Sequence, residues 1–230
     1  ESVALGVITA PGSAMVGAQV DVVVAAWFPR EVRLQLRTPP TLTRPAFQGA
    51  WVYPQPGPAG IAASRQVNGR WYDLFVTHDA VFPLTPGRLQ IGRARVSYGL
   101  PVTYSFLTRE LRHEVQSEPR WVTVASKPAA GRPATASGMA AAGLRLAVEA
   151  APRAMALGDA SAVSVTLSGR GNVALWPEPE ITWPAEARVY PGEIEQTIRL
   201  ENGQIEGSKQ FRYLLVPDSA GIHAIHGVRV

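Results

Sequence analysis

Val216–Val230 reads Val-Pro-Asp-Ser-Ala-Gly-Ile-His-Ala-Ile-His-Gly-Val-Arg-Val, and Phe82–Val96 reads Phe-Pro-Leu-Thr-Pro-Gly-Arg-Leu-Gln-Ile-Gly-Arg-Ala-Arg-Val. Aligned without gaps, the two stretches agree at Pro83/Pro217, Gly87/Gly221, Ile91/Ile225, Arg95/Arg229 and Val96/Val230. Chance gives about one identity over such a window. Each copy reads as a strand ending at the proline, a turn closing at the glycine and a second strand running to the valine. Pro83, Gly87, Pro217 and Gly221 are therefore structural-motif positions. An earlier stretch also returns. Gly17 precedes Val20, Val22, Val24 and Ala26 on one strand face, and Gly158 precedes Val163, Val165 and Leu167. The offsets at the two ends of the repeat are similar, so two homologous units are the simplest reading.

Working outward, the chain has 230 residues, 46% of them hydrophobic and 17% charged, enough for one or two cores. Its 21 Gly and 20 Pro favour short strands over long helices. Without cysteine it has neither a disulfide framework nor a cysteine-based metal site. No apolar run is long enough to span a bilayer. The chain opens at Glu1 with neither Met nor a signal-like stretch, which reads as a fragment of a longer protein. A formal charge of +4 invites a nucleic-acid reading. The basic residues are scattered rather than clustered, and all but Lys127 and Lys209 are arginine, as a GC-rich genome produces. Nucleic acid is therefore not an expected partner.

Val32, Leu34 and Leu36 alternate with Glu31, Arg33, Gln35 and Arg37 and read as a half-buried strand. The segment from Thr38 to Gly60, with Pro39, Pro40, Pro45, Pro54, Pro56 and Pro58, reads as loop, with Trp51 and Tyr53 on a short edge strand. Asn68-Gly69 and Asn202-Gly203 are hairpin-turn dipeptides. Residues 101–119 have no counterpart in the second half and read as a loop insertion. Trp121–Val124 reads as the last strand of the first unit. Residues 127–142 are a linker of small and breaker residues. The expectation is an all-β chain of two tandem immunoglobulin-like antiparallel β-sandwiches, residues 1–126 and 143–230. The first unit has a strand after its repeat and the second stops at Val230. The second sandwich is thus expected to lack its final strand or to borrow it, and a complete, self-contained second sandwich would refute that.

His223 and His226 form H-x-x-H, but positions three apart on a strand face opposite sides, and no third ligand is near in sequence. His78-Asp79 lacks a nucleophile elbow to complete a triad. Gly169-Arg170-Gly171-Asn172 is glycine-rich, yet no helix follows to bind phosphate. A turn at Gly171, with the Asn172 side chain capping a bend, is the reading adopted. Glu178, Glu180, Glu193 and Glu195 read as a solvated face rather than paired acids for glycoside chemistry. No catalytic, cofactor-binding or metal-binding residues are assigned. Trp27, Trp71 and Trp121 read as core. Trp51, Trp176 and Trp183 lie in proline-bearing segments, where with Tyr53 they are candidate interaction residues.

Gly131-Arg132-Pro133, Gly138, Gly158-Asp159, Ser168-Gly169-Arg170-Gly171-Asn172, Pro177, Pro179, Gly207-Ser208-Lys209-Gln210-Phe211-Arg212-Tyr213, Pro217 and Gly221 form an ordered series. Through it, residues 128–230 resemble the C-terminal ectodomain region of the BatD family of bacterial aerotolerance proteins. Residues 15–126 resemble the preceding BatD domain through Val16-Gly17, Gly49-Ala50-Trp51 and Phe82–Val96. The chain departs from the family at 101–119 and at Ala140–Ala142. The resemblance implies a periplasmic, extracytoplasmic protein, held to the membrane only by a transmembrane helix outside these residues. It implies von Willebrand A-domain Bat proteins as partners and a MoxR-type AAA+ ATPase nearby, in oxygen and stress tolerance of the envelope. No catalytic motif comes with it. A non-enzymatic protein-interaction module is the function expected. A carbohydrate- or envelope-polymer-binding module is the alternative, and it needs a row of exposed aromatic rings.

Overall fold

The computed structural model describes residues 3–102, 109–128 and 139–230. Among the described residues the chain is mostly β, 62% strand with one short helix, in several antiparallel sheets. It divides into two compact units, Glu1–Ser126 and Lys127–Val230.

The first unit contains β1 (Ala4–Ala10), β2 (Ser13–Met15), β3 (Val20–Pro29), α1 (Arg30–Arg33), β4 (Thr41–Thr43), β5 (Ala50–Gln55), β6 (Ala63–Val67), β7 (Arg70–Pro83), β8 (Gly87–Ile91), β9 (Arg95–Pro101), β10 (Glu110–Gln116) and β11 (Arg120–Ala125). One sheet runs β1-β3-β7-β5, with β6 also on β7; two smaller ones run β10-β9-β4 and β2-β11-β8. Val20, Val22, Val24, Ala26 and Phe28 alternate along β3 and are all fully buried. This face of the large sheet packs on Leu89 and Ile91 of β8 and Val122 and Val124 of β11. Farther along, Phe28 and Phe75 meet Val96, Tyr98 and Val115. Burying both inward faces is what holds the layers together.

The second unit contains β12 (Ala141–Ala151), β13 (Ser161–Gly171), a 3₁₀ turn (Val173–Leu175), β14 (Glu180–Thr182), β15 (Ala187–Glu201), β16 (Gln204–Pro217) and β17 (Gly227–Arg229). Its sheets run β12-β13-β16-β15 and β14-β17. Val163, Val165 and Leu167 of β13 pack with Phe211, Tyr213 and Leu215 of β16, and Ile181 and Val228 of the small sheet close over them.

The two units share several backbone features. Leaving β1 and β12, Ala10-Pro11 and Ala151-Pro152 are both cis. Asn68-Gly69 and Asn202-Gly203 both take positive φ in the turns before β7 and β16. The Leu84 N–H donates to the Gly49 carbonyl at 3.0 Å, and the Asp218 N–H donates to that of Glu186 at 3.0 Å. Gly87 and Gly221, with φ of 123° and 153°, occupy a region that side chains avoid. Among the described residues, no strand of the second unit corresponds to β11.

Three expectations are corrected. Val32, Leu34 and Leu36 do not form a strand. Arg30–Arg33 is a helical turn, with the Leu34 N–H donating to the Arg30 carbonyl at 2.9 Å. The turn is fixed by Arg30 and Arg33, three apart and thus on one face, both reaching buried Asp73. The insertion at 101–119 is not a loop: β10 pairs with β9 from Glu110↔Pro101 to Gln116↔Arg95. Leu107 lies outside the described residues. Finally, the stretch from the repeat glycine to the valine is not one strand. In the first unit it breaks at 92–94 between β8 and β9, which belong to different sheets. There the Gly92 N–H donates to the Ala46 carbonyl and the Ala94 N–H to Ser117 Oγ, each at 2.9 Å.

Candidate functional site

Strand β7 buries two aspartates on the same face. Asp73 accepts from Arg30 Nη2 at 3.0 Å, Arg33 Nε at 2.8 Å and Ser64 Oγ at 2.6 Å. Burial pushes its carboxyl up, but the hydrogen bonds from Arg30, Ser64 and Arg33 outweigh that and hold it well below the usual carboxylate range. Asp79 has one cation against it, Arg44, with Nε 2.9 Å from Oδ1. Here desolvation wins over Arg44 and the carboxyl is pushed up.

His78 and Asp79, adjacent on a strand, face opposite sides of the sheet. His78 Nε2 instead lies 3.2 Å from Asp21 Oδ1, an outer-face contact. Among the described residues, neither Asp73 nor Asp79 is aligned with a serine nucleophile and a histidine as acyl transfer requires. Glu178 accepts from the Tyr213 hydroxyl at 2.8 Å, and Glu195 accepts from Arg212 Nη2 at 2.9 Å on an exposed face. His223 Nε2 is 2.8 Å from the Ser219 carbonyl oxygen. Among the described residues, no three His, Asp or Glu side chains group as metal ligands.

The aromatic candidates divide. Trp51, 40% exposed on edge strand β5, stands beside Tyr53 with ring centroids 6.4 Å apart, and Tyr53 packs edge-on against Phe82. Trp176, by contrast, is 2% exposed and belongs to the core, so it is no exposed interaction residue. Lys209 Nζ donates to the carbonyls of Ala174 at 3.1 Å and Trp176 at 2.7 Å, drawing this proline-bearing segment down onto the core. Trp183 is half-buried and packs edge-on against Tyr213, with centroids 4.9 Å apart. Two tryptophans read as core are instead half-exposed. Trp71 lies under the Arg30 guanidinium at 4.7 Å and Trp121 under that of Arg88 at 4.8 Å. Strand parity carried that signal for Trp121, because inward Val122 and Val124 put Trp121 outward.

The motif positions are backbone devices. A Cβ on Gly207 would collide with the Thr197 carbonyl oxygen, and one on Gly171 falls 2.8 Å from that of Ala140. Asn172 opens the 3₁₀ turn through its main-chain carbonyl, which accepts the Leu175 N–H at 3.0 Å; its side chain makes no capping bond there.

The second unit also has a cleft that sequence reasoning did not find. It measures about 640 Å³ and is floored by Val148, Ala150, Val163 and Leu215 between the segments 153–157 and 219–225. No helix among the described residues is long and apolar enough to cross a membrane.

A search of curated proteins returns no match. A family model described as "BatD DUF11 like domain" matches residues 148–230, covering the end of β12 and all of β13 to β17. Residues 148–230 are thus a BatD DUF11-like domain.

Proposed function

We propose that the chain is a non-enzymatic, extracytoplasmic protein-interaction module of a membrane-anchored BatD-like protein. It acts with von Willebrand A-domain Bat proteins and a MoxR-type AAA+ ATPase in oxygen and stress tolerance of the cell envelope. The observation that carries this reading is the BatD match over 148–230. The architecture supports it. Sheets facing each other across apolar cores, read here as two immunoglobulin-like sandwiches, make a stiff scaffold that offers edges and loops to other proteins.

On the first unit the contact surface is the β5 edge, where Trp51 presents a large aromatic area beside Tyr53. Aromatic anchors of this kind dominate protein interfaces. The test is binding of a purified A-domain Bat protein to the whole chain and to Trp51→Ala. The variant is expected to weaken binding at least tenfold while leaving stability within about 0.5 kcal/mol. No detectable A-domain binding by the unaltered chain refutes the reading; equal binding by the two refutes the β5 assignment.

A further inference from the structure

Val163, Val165 and Leu167 face the core of the second unit, so Ser168 and Arg170 of the same strand face outward. On that outer face a cavity of about 330 Å³ lies across one end of β12, β13, β16 and β15. One rung of the sheet there reads Ala142↔Arg170↔Glu206↔Arg199, and the next brings Arg145 opposite Ser168. Arg145 reaches this face through a bulge. Gly143 and Leu144 both stand opposite Gly169, between Ala142↔Arg170 and Arg145↔Ser168. Without the extra residue Arg145 would pair with Leu167 and turn inward. Gly143 takes the left-handed φ of 62° at the bulge.

Three arginines line this cavity, Arg145, Arg170 and Arg199. Arg199 is already engaged. Its Nε and Nη2 donate to Glu206 Oε1 at 3.0 and 2.9 Å, and Nε lies 3.3 Å from Glu201. Hydrogen bonds from Glu201 and Arg199, and to a lesser degree the charges of Arg199 and Arg170, hold the Glu206 carboxyl below its ordinary value, so its negative charge stays with Arg199. Among the described residues the Arg145 and Arg170 side chains make no hydrogen bond or ion pair, and both are exposed. The three arginines outnumber Glu201 and Glu206, so the cavity keeps an excess of positive charge. The sheet itself does not need it. With β1-β3 and β12-β13 matched through Val7↔Val24 and Val148↔Val165, the same rungs of the first unit hold Ala4↔Trp27 and Pro29↔Tyr72.

We propose that this cavity binds a phosphate group, held by the guanidinium forks of Arg145 and Arg170 with the Ser168 hydroxyl as a further donor. Arginine recognises both carboxylate and phosphate. A carboxylate offers two oxygens in one plane, which suits a single fork. A phosphate presents more oxygens in a tetrahedron, which suits two forks and a hydroxyl arriving from neighbouring strands. Arg199, pinned by Glu206, forms the fixed wall of the site. The group is carried either by a soluble phosphate ester or by a phospholipid headgroup. The inference goes beyond the interaction-module reading and does not depend on it.

The test titrates the whole isotope-labelled chain at constant ionic strength with inorganic phosphate, glycerol phosphate and acetate, following backbone amide shifts by NMR. Both phosphates should give saturable shifts centred on 142–145 and 168–170, with acetate about tenfold weaker or more. Arg145→Gln and Arg170→Gln alter exposed side chains without partners, so both variants keep the fold. Each should weaken phosphate binding about fivefold or more. Arg212→Gln, farther along the same face and paired with Glu195, should leave it within about twofold. Cosedimentation with vesicles of phosphatidylglycerol in phosphatidylcholine separates the two sources. Vesicle binding that falls in Arg145→Gln and Arg170→Gln makes the group a lipid headgroup; vesicle binding that is absent, or unchanged in those variants, makes it a soluble ester. Shifts that do not saturate, shifts centred elsewhere, acetate binding as tight as phosphate, or an equal loss in Arg212→Gln overturns the proposal.

Discussion

Asp73→Ala tests whether the α1 turn is held by charge rather than by helix propensity. The carboxylate has no solvent exposure and receives Arg30, Arg33 and Ser64. Removing one partner of a buried ion pair costs about 3–5 kcal/mol. Here the arginine side chains remain 37% and 30% exposed and regain water when Asp73 is lost. The expected loss is therefore reduced to about 2–3 kcal/mol. The assay is urea titration of the whole chain, followed by hydrogen exchange of β3 and β7 amides, which report the first unit alone. Asp73→Asn adds a pH dependence. The folded carboxyl lies below its unfolded value, so its contribution is complete above about pH 4 and is lost as pH falls below that towards the folded value. The stability gap between wild type and Asp73→Asn should narrow on acidification through that window. A loss under about 0.5 kcal/mol for the alanine variant, or a gap that does not narrow in acid, would falsify the assignment.

Asp79 should show the opposite sign: its folded carboxyl is raised by burial, so ionisation costs stability as pH rises through the folded value. The stability of Asp79→Asn relative to wild type should therefore increase with pH above about 4, in the same titrations. Gly207→Ala forces a Cβ into the Thr197 carbonyl oxygen, and should cost about 3 kcal/mol or more by separating β15 from β16. Its signature is faster amide exchange in β15 with β3 unchanged. Trp176→Ala empties a buried site and should cost about 3–5 kcal/mol, read from exchange of β13 and β16 amides. A milder loss would mean that the segment lifts off the core readily.

The strands legible in sequence were those whose pattern is local. The alternation Val20–Ala26 and the Asn-Gly turns declare themselves within a few residues, and the repeat extended that reading to the second unit. Local alternation failed at Val32, Leu34 and Leu36. What bends the chain there is Asp73, some forty residues away, and alternation around it looks the same in a strand or a helical turn. Trp176 was misplaced for a related reason. Neighbouring prolines indicate irregular backbone but not depth, and depth is set by Lys209 and by the Tyr213–Glu178 bond on β16. The cleft was invisible as a cavity, although the absence of a counterpart to Trp121–Val124 was readable once the two repeats were aligned.

The two units also show one position solved in two ways. Asp73 precedes Pro83 by the same interval that separates Gly207 from Pro217, and each faces the neighbouring strand, as Ser64↔Asp73 and Ile198↔Gly207. In the first unit the neighbouring edge is split into β5 and β6, and the carboxylate takes Arg30, Arg33 and Ser64 as partners. In the second, β15 runs on from Ala187 to Glu201, with one irregularity between Pro191 and Ile194, and its backbone passes where a side chain at 207 would stand. A split edge accommodates a buried charge only if cations come with it. A continuous edge needs no cations but tolerates no Cβ. Neither residue can replace the other: aspartate at 207 meets the Thr197 carbonyl, and glycine at 73 leaves two arginines facing a void. Backbone positions such as the Asn-Gly turns and the repeat glycines could stay the same in both units, whereas this position had to diverge together with its neighbouring edge.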